Sequence, residues 1–215
     1  MVNDGHVNIV TKHVTLARLL GRPPAPSSLM EAFLISTGLV ALAEIGDKTQ
    51  LLALLLAARF RKPWPIFWGI LAATLANHAL AGGIGLLVAR WLTDDVLRWV
   101  LGIGFLAMAA WMLIPDRLDD DTPSARSRWG VFGTTCVMFF LAEMGDKTQV
   151  ATVALAARFQ DWLAVVAGTT LGMMIANAPA VWLGDRMAHR LPVRAIHLGA
   201  AALLAALGVW ALLGW

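Results

Sequence analysis

Two short acidic strings interrupt otherwise apolar stretches of the sequence, and each string carries two carboxylates. Residues 44–48 read EIGDK, and residues 143–147 read EMGDK. On a helix, side chains at positions i and i+3 share a face, so each string would present its glutamate and its aspartate on the same side. The two strings therefore supply four carboxylates that could act together, namely Glu44, Asp47, Glu143 and Asp146.

Such a cluster predicts cation chemistry. Four carboxylates in a dry environment cannot all stay ionised, because desolvation and mutual repulsion disfavour the charged forms. The lysine that ends each string, Lys48 or Lys147, either tunes the charge of the cluster or has a purely structural role. If both lysines point inward, two negative charges remain, and one divalent cation or two protons would neutralise them. The same groups could then hold a metal ion in one state and protons in another, as a proton-coupled cation exchanger requires.

The side chains near the strings offer oxygen donors, and neither string contains a thiol or an imidazole. Oxygen sites suit Ca²⁺, Mn²⁺ and Mg²⁺ better than Cu⁺ or Zn²⁺, but they do not separate Mn²⁺ from Ca²⁺. On an intact helix Gln50 lies nearer than Thr49 to the face of Asp47, whereas Thr49 could join if the helix unwinds at its glycine. Candidate secondary ligands are Thr49, Gln50, Thr148, Gln149, and two asparagines elsewhere in the chain, Asn77 and Asn177.

These polar residues also have structural interpretations. Glu44 and Lys48 are four residues apart in the order that favours an ion pair on one helix, but such a pair leaves Asp47 unexplained. A buried asparagine such as Asn77 can simply join two helices. His78, which follows it, could relay protons or could pack between helices. Because ionisable groups are costly inside a membrane, the repetition of a charged string favours the functional interpretation.

The composition indicates a polytopic membrane protein. The chain has 215 residues, of which 59% are hydrophobic and 14% charged, and its mean hydropathy is +0.69. Soluble domains carry about 25% charged residues, so the composition excludes a soluble globule as well as a disordered or fibrous chain. The single cysteine excludes an intrachain disulfide and a cysteine-cluster metal site. The sequence contains no basic run with interleaved aromatic residues, so it gives no indication of nucleic-acid binding.

An α-helix needs about 20 mostly apolar residues to cross a bilayer, and the sequence has several segments of this kind. Four of them are free of charged residues, and the acidic strings lie inside two more. We therefore predict an all-α integral membrane protein with six transmembrane helices, in segments 32–58, 63–89, 99–115, 129–157, 162–184 and 195–215.

The acidic strings belong to a longer internal repeat. Residues 42–60 and 141–159 are identical at 13 of 19 positions. Each copy opens a unit of three predicted spans, and because three is odd, the second unit must enter the membrane from the opposite side. Inverted repeats are typical of secondary transporters, whose ion site lies near the midplane between the two units. The predicted organisation is a polar tail at 1–29, a first repeat at 30–115, a central polar loop at 116–128 and a second repeat at 129–215.

Lysine and arginine residues predict the orientation of these spans. The loops after the first, third and fifth spans carry nine such residues, and the opposite side carries six. The excess places the central loop in the cytoplasm and both termini outside. The tail at 1–29 lacks the apolar core of a signal peptide. It is either a surface arm or a non-native extension that precedes a true start at Met30.

Paired E-x-G-D-K-T strings, each in the first helix of a three-helix half, resemble those of the Gdt family. Here they occupy 44–49 and 143–148, and the resemblance covers about residues 30–215. It implies a six-span exchanger of divalent cations for protons, of the type also grouped as a second calcium/cation antiporter family. Compact bacterial members resemble manganese exporters of the inner membrane, with the metal as cargo and no resident cofactor. The resemblance also implies that the cation is bound by Glu44, Asp47, Glu143 and Asp146.

Two other functions compete with this prediction. A passive divalent cation channel usually assembles several copies around one axis, whereas this chain carries both strings in one polypeptide. A metal-dependent membrane enzyme would place its site near an interface, whereas both strings interrupt apolar spans. The favoured prediction is a transporter, not an enzyme, that exchanges Mn²⁺ or Ca²⁺ for H⁺ and exports Mn²⁺ from the cytoplasm. Its expected partners are the cation, protons and the lipid bilayer.

Overall fold

The computed structural model describes residues 26–114, 130–183 and 192–213. Every regular element within these ranges is an α-helix. The predicted central loop at 116–128 and residues 1–25 of the predicted tail lie outside the described residues. The helices are α1 (Pro26–Glu44), α2 (Lys48–Phe60), α3 (Pro63–Trp91), α4 (Asp94–Met112), α5 (Gly130–Glu143), α6 (Lys147–Phe159), α7 (Trp162–Leu183) and α8 (Val193–Leu213).

Each acidic string breaks the helix that carries it. In the first string the break follows Glu44, and Gly46 has a φ of 84°, a left-handed conformation that glycine adopts without strain. Asp47 is extended and occupies the N-cap of α2. The second string repeats this backbone, with a φ of 80° at Gly145 and Asp146 at the N-cap of α6. The unwound alternative is therefore the one that forms, and a glutamate and its aspartate lie on different helices.

The described residues contain four or five candidate membrane spans, and the six predicted spans are not confirmed. Four helices are long and apolar enough to cross a bilayer, namely α3, α4, α7 and α8. The α1/α2 pair adds a fifth if it is one span bent by 68° at the break. The described part of the second repeat begins with a shorter apolar helix, α5, of 14 residues. Many large apolar side chains, including Leu163 and Leu213, are exposed on the outer surface, as contact with lipid requires. The chain is a multi-pass helical membrane protein.

The two halves of the chain pack into one another. Helix α1 lies along α7, α5 lies along α3, and α3 also contacts α7. Close approach needs glycine at these crossings: a Cβ on Gly172 would lie 2.6 Å from the Thr37 carbonyl oxygen, and a Cβ on Gly69 would lie 2.7 Å from the Thr135 Cβ. Each broken string is thus held by helices from the other half, which brings the two breaks together.

Candidate functional site

Three of the four predicted carboxylates meet in the interior. One ligand oxygen from each of Glu44, Glu143 and Asp146 lies within 4.8 Å of the other two. These residues are 0%, 2% and 4% exposed. Glu44 is the last residue of α1, Glu143 is the last residue of α5, and Asp146 is the N-cap of α6. The helix breaks make this possible, because each string can direct its carboxylates independently.

The helix ends favour negative charge on the aspartates. Asp47 and Asp146 precede the first turns of α2 and α6, where backbone N–H groups and the positive end of the helix dipole point outward. Broken helices that present their N-termini near the membrane midplane are a recurrent device for binding ions. Asp47 is also buried, but it lies outside the group of three carboxylates in the described structure. The structure therefore brings together three of the four predicted ligands.

Threonine hydroxyls hold the two glutamates. The Oγ1 of Thr49 donates a hydrogen bond of 2.5 Å to Glu44 Oε2, and the Oγ1 of Thr148 donates to Glu143 Oε1. Each bond crosses a helix break and fixes one carboxylate oxygen. Thr49 therefore reaches the site through the unwound turn, and both threonines orient the carboxylates that face the cluster.

The glutamines bind the broken turns to the opposite half. Gln50 Oε1 accepts a bond of 2.9 Å from the Gly46 N–H, and its Nε2 donates to the Ala176 carbonyl at 2.9 Å. In the second string, Gln149 Oε1 accepts from the Gly145 N–H at 2.7 Å, and its Nε2 donates to Asn77 Oδ1. Each glutamine thus caps its own break and reaches α7 or α3. These contacts give the glutamines a positioning role in this conformation.

The two asparagines are fully buried but have different contacts. Asn77 joins α3 to α6 through the bond from Gln149. Asn177 donates within α7, to the Met173 carbonyl at 3.2 Å and to its sulfur at 2.8 Å. Asn77 therefore joins two helices, whereas the hydrogen bonds of Asn177 stay within one helix.

The lysines also have different partners. Lys48 Nζ forms an ion pair of 2.7 Å with Asp146 Oδ1, so a cation from the first string neutralises a carboxylate of the second. The alternative pairing of Lys48 with Glu44 on one continuous helix does not apply, because the helix ends at Glu44. Lys147 is buried and donates to the carbonyl of Ile114 at 2.8 Å. Lys48 therefore contributes directly to the charge of the cluster.

One buried side chain beside the cluster was not assigned to it from the sequence. His78 on α3 is 0% exposed, and its Nε2 lies 3.9 Å from Glu143 Oε1. The spacing along the chain contains no signal for this contact, because 65 residues separate the two and only the packing of α3 on α5 brings them together.

The two helix breaks have similar backbones but different surroundings. The first break is covered by α8: His197 Nε2 lies 2.8 Å from the Ile45 carbonyl, and Val193 lies against Gly46. At the second break, a Cβ on Gly145 would meet no atom of the described residues within 4 Å. The covered break is the one whose aspartate lies outside the carboxylate group. The halves are therefore alike in sequence and unlike in environment.

The charge of this arrangement requires a cation or protons. With all of these groups ionised, the three carboxylates and the Lys48 ammonium would carry a net charge of −2, and unpaired buried charges are strongly unfavourable. The donor set of carboxylate oxygens suits hard divalent cations.

Comparison with known proteins agrees with this chemistry. The family model described as "Divalent cation/proton antiporter GDT1" matches residues 32–120 and 131–215. A Vibrio cholerae protein named "Putative manganese exporter" is 51% identical over 182 residues, which cover 84% of this chain and 90% of that protein. The "Divalent cation/proton antiporter GDT1" of Saccharomyces cerevisiae is 24% identical, with 82% of this chain and 81% of that protein covered. No solved structure matches the chain. The chain therefore belongs to the GDT1 family of divalent cation/proton antiporters and is a membrane transporter, not an enzyme.

Proposed function

We propose that this protein exchanges Mn²⁺ for H⁺ across the inner membrane and exports Mn²⁺ from the cytoplasm. The observation that carries the proposal is the convergence of Glu44, Glu143 and Asp146, with their ligand oxygens within 4.8 Å of one another in a buried site. The oxygen donors accept Mn²⁺ and Ca²⁺ alike, so Ca²⁺ is a second candidate substrate. The relative named as a manganese exporter supports Mn²⁺ and the outward direction.

The charge of the site supports exchange rather than simple binding. The three carboxylates and Lys48 together carry a net charge of −2 when all are ionised. One Mn²⁺ or two protons would therefore leave the site neutral, and a neutral site can reorient through a low-dielectric barrier at much lower cost than a charged one. An intermediate with neither the metal nor the protons is disfavoured, which couples the two fluxes.

The full site contains Asp47 as a fourth carboxylate in at least one conformation. The two strings have nearly identical backbones at their breaks, yet Asp146 lies in the group and Asp47 does not. Exchange of these two environments would bring Asp47 to the ion. In the proposed arrangement the two halves are inverted repeats with six spans in total. The α5/α6 pair is one of these spans, just as the α1/α2 pair is. The mutual packing of α1 on α7 and of α5 on α3 supports this arrangement.

The lysine and arginine distribution supports a central loop in the cytoplasm and both termini outside. In this orientation, protons that enter down their gradient drive Mn²⁺ out. If the cycle moves net charge, the membrane potential contributes about 2.3 kcal/mol per charge per 100 mV.

Flux measurements in proteoliposomes test the proposal. Mn²⁺ movement and lumenal pH are followed together under an imposed pH gradient, for the wild type and for Asp47→Asn and Asp146→Asn. We expect Mn²⁺ flux that is coupled to opposite proton flow and is lost in both variants. The exposed Asp95→Asn on α4 is the control and retains coupled flux. Mn²⁺ flux without proton movement would indicate a channel, and an absence of Mn²⁺ and Ca²⁺ flux in the wild type would refute the transport proposal.

A further inference from the structure

His78 lies on α3 against the carboxylate cluster, at a distance that a hydrogen bond does not explain. Its Nε2 is 3.9 Å from Glu143 Oε1, whereas hydrogen bonds of this type span about 2.7–3.2 Å. Metal–donor bonds of about 2.0–2.6 Å place two donors on one ion up to about 4–5 Å apart. The separation of these two atoms is one that an ion pair with a protonated imidazole can have, and it is also one that two ligands of the same ion can have.

Neither ring nitrogen of His78 has a hydrogen-bond partner within the described part of the chain. The side chain is 0% exposed, so bulk water does not compensate for this. A buried polar atom without a partner costs about 1–3 kcal/mol, and a histidine that served only for packing would be expected to have a partner. An ion between the imidazole and the carboxylates would satisfy Nε2.

The backbone that carries His78 is fixed relative to the second helix break. The preceding residue, Asn77, accepts a bond from Gln149, which in turn accepts a bond from the Gly145 N–H. This chain of contacts links α3 to the turn that presents Asp146. The position of the imidazole is thus coupled to that of the carboxylates.

We propose that His78 is a direct ligand of the transported ion and that its Nε2 makes the site favour Mn²⁺ over Ca²⁺ and Mg²⁺. This inference rests on the proposed function and deepens it. Ca²⁺ and Mg²⁺ take oxygen ligands. Oxygen ligands also suit Mn²⁺, but as a first-row transition metal it accepts an imidazole nitrogen more readily than those two ions do. In this structure His78 lies outside the group of ligand atoms within 4.8 Å of one another, and it approaches that group at Glu143. An imidazole drawn onto the ion from this position provides the discrimination that oxygen donors alone do not. Only the first half supplies the imidazole, because Ala178 follows Asn177 in the second.

Pulsed EPR of bound Mn²⁺ tests this assignment directly. The purified full-length protein, free of any histidine tag, is loaded with Mn²⁺ alone in lipid nanodiscs, and nitrogen hyperfine coupling to the metal is recorded. We expect coupling in the wild type that changes to the ¹⁵N pattern when the protein is labelled with ¹⁵N-histidine. The coupling should disappear in His78→Gln, which offers an oxygen in place of the nitrogen. It should persist in His197→Gln, whose ring contacts the Ile45 carbonyl.

Competition binding provides the second readout. The preference for Mn²⁺ over Ca²⁺ should fall at least about tenfold in His78→Gln, because losing even an outer-shell partner of a metal ligand costs 10–100-fold in metal affinity. A purely structural role would weaken both cations equally. The ¹⁵N-histidine measurement on the wild type keeps the test valid if His78→Gln does not fold.

The outcomes separate the two proposals. If wild-type protein binds and transports Mn²⁺ but shows no nitrogen coupling, or if the coupling survives in His78→Gln, the role of His78 is refuted and the exchanger stands. If the wild type neither binds nor transports Mn²⁺, the proposed function itself fails and the assignment of His78 fails with it.

Discussion

The ion pair between Lys48 and Asp146 predicts a measurable coupling between the two halves of the chain. Its Nζ–Oδ1 distance is 2.7 Å, which corresponds to about 6 kcal/mol of Coulomb energy at an effective dielectric constant of about 20. Desolvation of both ions offsets part of this energy, and Lys48 retains 27% exposure, which screens it further. We expect a coupling energy of about 2–4 kcal/mol, within the range that double-mutant cycles give for close charge pairs.

The two single substitutions should lower the free energy of unfolding by different amounts. Lys48→Met leaves a 4%-exposed carboxylate without its cation beside two other carboxylates, so we expect about 3 kcal/mol of destabilisation. Asp146→Asn should cost less, since the longer, partly exposed lysine can redirect its ammonium towards solvent and repulsion in the cluster is relieved. The double variant should be much less destabilised than the sum of the two.

Equilibrium unfolding by SDS in mixed micelles, without divalent cations, measures these free energies. The control cycle pairs Lys48→Met with Asp95→Asn and should be additive within about 0.5 kcal/mol, because Asp95 is exposed on α4 and belongs to neither string. A coupling energy below about 0.5 kcal/mol in the Lys48–Asp146 cycle would refute the interpretation that this pair joins the halves.

Two matched pairs of substitutions test the surroundings of the breaks and the orientation of Glu143. Gly145→Ala should lower the free energy of unfolding by about 1–2 kcal/mol, because alanine is strained in the left-handed backbone conformation of this residue. Gly46→Ala should lower it by at least about 1 kcal/mol more, because its Cβ would also meet Val193. Equal unfolding free energies of the two variants would contradict this. Thr148→Val removes the hydroxyl that holds Glu143 and should weaken Mn²⁺ binding about tenfold or more, measured by titration calorimetry. Thr152→Val, which loses only a bond to a backbone carbonyl, should bind Mn²⁺ like the wild type, and similar losses in both variants would count against the orienting role.

Two nearly identical strings have unequal surroundings in the structure. The first break is covered by Val193 and His197 of α8, whereas no atom of the described residues would lie within 4 Å of a Cβ on Gly145. The carboxylate group contains Asp146 and excludes Asp47. Under the proposed exchange, alternation of these environments between the halves would let each string take its turn at the ion.

The sequence by itself determined the class of protein and the position of the chemistry along the chain. Its composition required a membrane protein, since 59% hydrophobic residues cannot be covered in water by 14% charged residues. The duplicated EIGDK and EMGDK strings identified the carboxylates, because charged groups in apolar spans persist only with a function. The glycine in each string permitted the helix break, although only the folded backbone fixed its left-handed turn.

Tertiary structure decided which of these groups meet. The two strings are locally almost the same, so nothing in either could indicate that Asp146 joins the cluster while Asp47 lies apart. Lys48 pairs with the opposite half instead of its own helix, and His78 reaches Glu143 from a different helix. The first contact depends on how α2 lies relative to the start of α6, and the second depends on how α3 packs on α5. Packing of this kind is a property of residues far apart in the chain. The local pattern thus fixed the chemistry available, and long-range packing fixed the asymmetric site that uses it.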